Sequence, residues 1–428
     1  MLSLSIGLLL SALIGGIAIG AIAGLLPGVH VNNTSAILLG LSPVLAASGV
    51  PALYIAIAIV ASTISQSFLD IVPSIFLGAP DDATVLAVMP GHRMLLDGRG
   101  IEAVRLSAAG SGLAIIVSML LIVPVSLVFL FAYPYMWDYM ALILAAISAF
   151  IILSNKGDSV FPEPSERIRK ICYGALIFAA SGFLGILAFA IEPALVPVVN
   201  IAAPTVLLPL LSGLFGAPML LMSMLTVPTI PRQAHNDFSI SGTEIGKAAA
   251  LGTVAGAMVA WFPAVSSGVA TSITGMFAKE DEDSDRRYLI AVSGVNTSNA
   301  IFSLIALYVI GRPRSGAVAA AQELLGGMIS FEGLVLFLAA VCVAGVLSYM
   351  LTLIAGGYAA GVFARIDYRW LNRGVLLFLA AMCLLMTGVA GMAIFLMATS
   401  IGMAAHILNV RKTCLMGVLL LSCILYFL

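Results

Sequence analysis

Long apolar stretches separated by brief polar ones dominate this chain. The stretches Leu106–Trp137, Ile171–Ile191, Ala248–Ala278, Tyr288–Gly311, Gly333–Ala364 and Gly374–Val410 hold no charged Asp, Glu, Lys or Arg apart from their flanks. About 20 residues of helix cross a bilayer core, and the longest run has the length for two passes. With the N-terminal run and Pro51–Leu77, the pattern predicts roughly 10–12 membrane segments, some of them incomplete. Apolar residues run continuously rather than alternating, so the expectation is an all-α integral membrane protein and not a β-barrel.

Within this pattern lies a duplication. Gly16, Gly20 and Gly24 precede "LLPGV", and Gly252, Gly256 and Ala260 precede "WFPAV" with the same spacing. That spacing puts small residues on one helix stripe, where a second backbone can come close. A polar cluster follows each break: "TISQ" (Thr63–Gln66) leads to Gly78-Ala79-Pro80, and "NTSN" (Asn296–Asn299) leads to Gly311-Arg312-Pro313 in identical register. The reading is two inverted repeats, residues 1–230 and 231–428, each with a broken or re-entrant helix. Interrupted hydrophobic segments at matching places are a sequence pointer to a secondary-transporter binding site.

The breaks carry chemistry. A helix interrupted at Pro27-Gly28 leaves backbone N–H groups without intrahelical partners, which is costly in hydrocarbon. Asn32, Asn33, Thr34 and Ser35 are suited to cap the restarting helix, whose N-terminus favours an anion. The second break supplies Pro263, Ser266 and Ser267, and the polar clusters supply Thr63, Ser65, Gln66, Asn296 and Asn299. With Gly78, Pro80, Gly311, Arg312, Pro313 and Arg314 they form the expected substrate site, in which the pairs Pro27/Pro263 and Pro80/Pro313 frame one cavity. The competing reading of the Asn, Ser, Thr and Gln side chains is interhelical hydrogen bonding. For Arg312 and Arg314 the alternatives are a bidentate anion clamp, pairing with Asp81 and Asp82, or a cytoplasmic loop. Asp70 is an acid within a membrane-length apolar run, where ionisable groups are expensive and functional. It is the candidate for coupling to Na+ or H+, against a snorkelling or locally paired carboxylate near an interface, or one beside a helix break at Pro73. His30 is weighed as a titrating group or a neutral hydrogen-bonding one.

Composition narrows the class further. The 428 residues are 61% hydrophobic and 9% charged, with a net charge of −1; soluble domains run near a quarter charged. No basic stripe suggests nucleic acid, and Cys172, Cys342, Cys383, Cys414 and Cys423 lack metal-ligand spacing and read as packing residues. The basic stretches His92–Arg99, Asn155–Lys170 and Arg365–Arg373 are expected in the cytoplasm. No P-loop, HExxH or GxSxG motif is present, so neither ATP-driven pumping nor an enzyme is expected, and no cofactor. The N-terminal run lacks a basic leader region and reads as a retained first helix in a multi-pass protein of the plasma membrane.

At these residues the chain resembles the large permease of the tripartite tricarboxylate transporters, the TctA family. Gly24–Gly28 is similar to the Gly-x-x-Pro-Gly break of that family, and "GAPDDATVLAVMPGHRMLLDGRGIEA" (Gly78–Ala103) follows its Gly-x-Pro turn and basic Asp-Gly loop. "SGVNTSNA" (Ser293–Ala300) and "GRPRS" (Gly311–Ser315) are similar to its Asn-rich cluster and second turn. The resemblance implies a secondary carrier for a small organic anion, a di- or tricarboxylate, working by alternating access. It also implies a periplasmic or extracellular binding protein and a small membrane subunit as partners. The departures are Pro263-Ala264 at the second break, Asp81-Asp82 after the first turn, and Arg312 and Arg314 within the second. A second resemblance, to bacterial polyprenyl-phosphate translocases, rests on "LPGVHVNNTSA" and "FPAVSSGVATS" and implies a lipid phosphate as cargo.

Overall fold

The computed structural model describes residues 5–26, 29, 31–77, 88–155, 164–199, 204–225, 231, 233, 240–262, 270, 283–363 and 368–428. These residues form helices and no strands. In order they are α1 (Ile6–Leu25), α2 (Val31–Ala47), α3 (Ala52–Leu69), α4 (Ile71–Leu77), α5 (Val88–Leu96), α6 (Gly100–Asp138), α7 (Met140–Leu153) and α8 (Pro164–Ile191). Then come α9 (Leu207–Leu211), which passes through a π turn at Ser212–Gly216 into α10 (Ala217–Leu225), and α11 (Gly242–Val259). The chain ends with α12 (Ser284–Ile310), α13 (Gly316–Leu325), α14 (Phe331–Phe363), α15 (Tyr368–Ile407) and α16 (Gly417–Phe427). Seven helices among the described residues are long and apolar enough to span a membrane, and four shorter apolar helices accompany them. Full spans and short helices together give the expected number of segments, and the chain is a multi-pass membrane protein.

Two of the seven spans differ from the rest. In the most apolar 18-residue window, 83% of residues are buried for Ala52–Phe76 and for Ser284–Ile310, against 22–44% for the other five. α3 and α12 therefore sit inside the bundle while the others turn a side to lipid. These are also the helices that carry the polar clusters, because polar side chains in a bilayer are tolerated where protein surrounds them.

The glycine stripes explain how α3 and α12 are wrapped. A Cβ at Gly16 or Gly20 would lie 2.4 and 2.2 Å from the carbonyl oxygens of Ala58 and Ser62, so α1 and α3 meet backbone to backbone. The same contact recurs in the second half, where a Cβ at Gly252 or Gly256 would lie 2.2 and 2.5 Å from the oxygens of Ala291 and Val295. Both pairs run parallel, since successive glycines meet successive turns in the same order. Without a hydrophobic drive between helices in lipid, such close dispersion contact is what holds them.

α3 and α12 cross each other antiparallel. Ile71, Val72 and Ile75 share a core cluster with Leu289, Ile290 and Val292, whereas Ile57 and Ile64 share one with Ile301 to Leu307. The early turns of one helix thus lie by the late turns of the other.

The last elements of the two halves are exchanged. α16, at the C-terminus, packs on α8, where a Cβ at Gly185 would lie 2.1 Å from the oxygen of Val418. The π turn and α10 pack on α15, where a Cβ at Gly402 would lie 2.3 Å from the oxygen of Leu214. Each arm is pinned by hydrogen bonds. Arg411 N donates to Asn155 Oδ1 (3.2 Å) and Lys170 Nζ to Leu408 O (3.0 Å). On the other side, α15 breaks at Gly388 (φ 68°, ψ −162°). Leu385 O, near this break, takes the N–H groups of Val198 (2.9 Å) and Val199 (3.0 Å). A non-helical residue inside a membrane helix requires such replacement partners.

Candidate functional site

The centre of the bundle is where α3 meets α12. Asp70, the C-cap of α3, is 5% exposed, and its Oδ2 accepts a hydrogen bond from Asn296 Nδ2 at 3.0 Å. One turn earlier, Ser67 Oγ lies 3.4 Å from Thr297 Oγ1. Asn296 stands ten residues after Arg286 and fourteen before Ile310, so about 15 and 21 Å along the helix separate it from the two ends. An acid paired with an amide at that depth is a polar centre far from either aqueous face.

The end of α1 reaches the same level. Gly24 packs against Gln66 O and Leu69, and the chain turns at Leu26 before α2 begins at Val31. Gln66 is buried and holds both sides of this turn. Its Nε2 donates to Val29 O at 2.5 Å, and its Oε1 receives Thr34 Oγ1 at 3.3 Å. The hydroxyl of Ser35 bonds Val31 O at 2.8 Å within α2. The amide side chain thereby satisfies a backbone acceptor at this turn.

The second half contributes the N-terminus of α13. Gly311 ends α12 at φ 68°, a conformation that favours glycine, and Ser315 caps α13 through Val318 N at 3.3 Å. Gly316 N, the first amide of α13, donates to Asn32 Oδ1 at 3.1 Å. Asn32 lies in the first turn of α2. The N-termini of α2 and α13, one from each half, therefore meet at this hydrogen bond, and both present partial positive charge there.

The arginines of the turn rest on α6. Arg314 bonds the Tyr133 hydroxyl, with its guanidinium 5.2 Å from the Tyr133 ring centre, and Arg312 lies 3.8 Å above the Trp137 ring. One turn earlier on α6, Phe129 stacks on Trp261 at 4.0 Å and 3°. Trp261 is fully buried and stands two residues before Pro263, so α6 links the arginine turn to the start of the second break. Two buried donors here, Trp261 Nε1 and Arg314 Nε, have no hydrogen-bond partner among the described residues.

The remaining expected site residues divide. Thr63 bonds Ile59 O of its own helix (2.9 Å), and Ser65 bonds Ile17 O of α1 (3.0 Å), as helix-packing hydroxyls do. Asn299 is half-buried on α12, and Pro313 is exposed. Pro27, Gly28, Gly78, Pro80, Pro263, Ser266 and Ser267, with His30, Asp81 and Asp82, lie outside the described residues, as does the side chain of Asn33. The cysteines Cys172, Cys342, Cys383, Cys414 and Cys423 are free thiols. No group of three or more His, Cys, Asp or Glu fit to hold a metal occurs among the described residues.

One charged cluster escaped the sequence reading. Glu102 of α6, 3% exposed, accepts from Arg99 (2.8 and 3.1 Å) and from Arg286 of α12 (2.9 Å), and Arg286 also holds Asp283. Below it, the hydroxyls of Ser107 and Ser293 are 2.7 Å apart. Glu102 opens an apolar run and so looks like an ordinary helix-start acid; its partner is 184 residues away, and no local pattern marks it.

No solved structure matches this chain. An uncharacterized protein of Methanocaldococcus jannaschii is 26% identical over 425 residues, covering 97% of this chain and 98% of that relative. The match to the family described as "Tripartite tricarboxylate transporter TctA family" extends over residues 9–417. With nearly its whole length matched, this chain belongs to the TctA family of tripartite tricarboxylate transporters.

Proposed function

We propose that this permease carries a small organic anion, a di- or tricarboxylate, by alternating access coupled to a cation. The meeting of the α2 and α13 N-termini at Asn32 and Gly316 carries the reading. Two helix N-termini supply positive potential without fixed charge, which suits a carboxylate that must also leave. Trp261 Nε1 and Arg314 Nε, buried without partners, are donors that an anion would satisfy. Asn296, Asn299, Thr34 and Gln66 line the approach from α2, α3 and α12. Asp70 with Asn296, at mid-depth, is the proposed cation-coupling pair, for Na+ or H+. The breaks at Pro27 and Pro263 complete the site in this reading, and the halves 1–230 and 231–428 act as inverted repeats.

The TctA family name places such permeases in tripartite systems, so a binding protein outside the membrane and a small membrane subunit are the proposed partners, and the plasma membrane the proposed location. The test is uptake of radiolabelled succinate and citrate by proteoliposomes. Uptake that depends on a cation gradient and is lost in Asn299→Leu supports the reading. Full uptake in that variant removes Asn299 from the site. Absence of uptake, with thermal stabilisation by polyprenyl phosphate instead, favours a lipid-phosphate cargo at the same N-termini.

A further inference from the structure

We infer that α6, although it belongs to the first half of the sequence, moves as one body with α11 and α12 against α1 and α3. The seam that opens is then the polar contact between α3 and α12. This rests on the transport reading only for its use, since the partition itself follows from packing.

Contacts inside the body are of backbone or buried charge. A Cβ at Gly110 would lie 2.4 Å from Ile290 O, so α6 and α12 touch main chain to main chain. On either side of that point are the Ser107–Ser293 hydroxyl pair at 2.7 Å and Ser111 Oγ bonding Ser293 O at 3.3 Å. The Glu102–Arg286 pair closes the end at 2.9 Å. α11 is joined to the other side of α12 by Gly252 and Gly256. Sliding one helix past another at a glycine–carbonyl contact drives a side chain into the partner backbone, because packed interiors have no room to yield. Separating Glu102 from Arg286 takes a buried carboxylate from one of its two arginines and leaves Arg286 with Asp283 alone.

The seam is built differently. α3 and α12 meet through side chains, with Ser67 to Thr297 at 3.4 Å and Asn296 to Asp70 at 3.0 Å beside the apolar cluster that Ile57 and Ile64 share with Ile301 and Ile305. Water replaces such bonds at little cost. α14 packs on both α3 and α6, meeting α6 through side chains, Ile115 against Gly345, Tyr349 against Gly112 and Val104 against Gly356, and so spans the two bodies.

Two cysteine pairs in a background without native cysteines test this. Ser107→Cys with Ser293→Cys links α6 to α12, and Ser67→Cys with Thr297→Cys links the seam. Oxidation of the first pair should leave at least half of the succinate or citrate uptake. Oxidation of the second should reduce uptake at least tenfold, with recovery on reduction. Reversible loss with the first pair, or unchanged uptake with the second, overturns the inference. If even the unlinked protein takes up neither anion, the transport reading fails. The partition is then decided by spin-label distances in liposomes, using exposed Leu120→Cys on α6, Val254→Cys on α11 and Ile14→Cys on α1. A single narrow distribution for 120–254 with a broad or multiple one for 14–254 sustains it. A broad 120–254 distribution, or narrow ones for both pairs, overturns it.

Discussion

Asn32 of α2 accepts the first amide N–H of α13, from Gly316, across 284 residues of chain at 3.1 Å. This bond ties two helix N-termini together at the proposed anion site. Asn32→Leu removes the acceptor and leaves the Gly316 amide without it, so uptake should fall at least tenfold. Asn32→Asp keeps the acceptor but adds negative charge beside the proposed anion, so KM should rise with less change in maximal rate. Equal kinetics for wild type and Asn32→Asp would place the anion elsewhere.

Asp70 is predicted to serve coupling rather than anion binding. Asp70→Asn should abolish accumulation driven by a Na+ or H+ gradient while anion exchange between loaded vesicles continues. Intact gradient-driven accumulation in this variant would assign Asp70 to structure alone.

Glycines 20 and 252 should be equally intolerant of a methyl group. Gly20→Ala or Gly252→Ala puts a Cβ 2.2 Å from the Ser62 or Ala291 oxygen, at a cost of about 1–3 kcal/mol. Thermal unfolding in detergent should show a drop of several degrees for each, and none for Gly15→Ala, where nothing lies within 4 Å.

Glu102→Ala leaves Arg286 with Asp283 alone and should destabilise by about 1–3 kcal/mol. The paired change Glu102→Leu with Arg286→Met removes both charges and should recover much of that loss. A double variant no more stable than Glu102→Ala would show that Arg286 is not held chiefly by this carboxylate, with thermal unfolding as the measurement.

Tyr133 is predicted to hold Arg314 in place. Tyr133→Phe removes the hydroxyl that the guanidinium bonds and leaves the ring, so KM should rise severalfold at unchanged stability. Arg314→Lys keeps the charge but loses the planar fork and should be the more severe of the two.

Helical class, close helix contacts and enclosed polar clusters were all legible in the sequence. Hydropathy required a helical membrane protein, since only continuous apolar helices satisfy their own backbone in lipid. The four-residue glycine spacing required a close helix contact, which the Gly16–Ala58 and Gly252–Ala291 approaches supply. Polar clusters at Thr63–Gln66 and Asn296–Asn299 required enclosure, and α3 and α12 are the two spans most enclosed by protein.

Only the tertiary structure decided which residues meet. Asp70 faces Asn296, Asn32 faces Gly316, Glu102 faces Arg286, and the final arm of each half lies on the other. The partners in these three pairs stand 226, 284 and 184 residues apart. A residue's own neighbours set its helix and its depth, but antiparallel crossing and arm exchange set its partner. Those follow from how whole helices pack, a property that no short stretch of sequence contains.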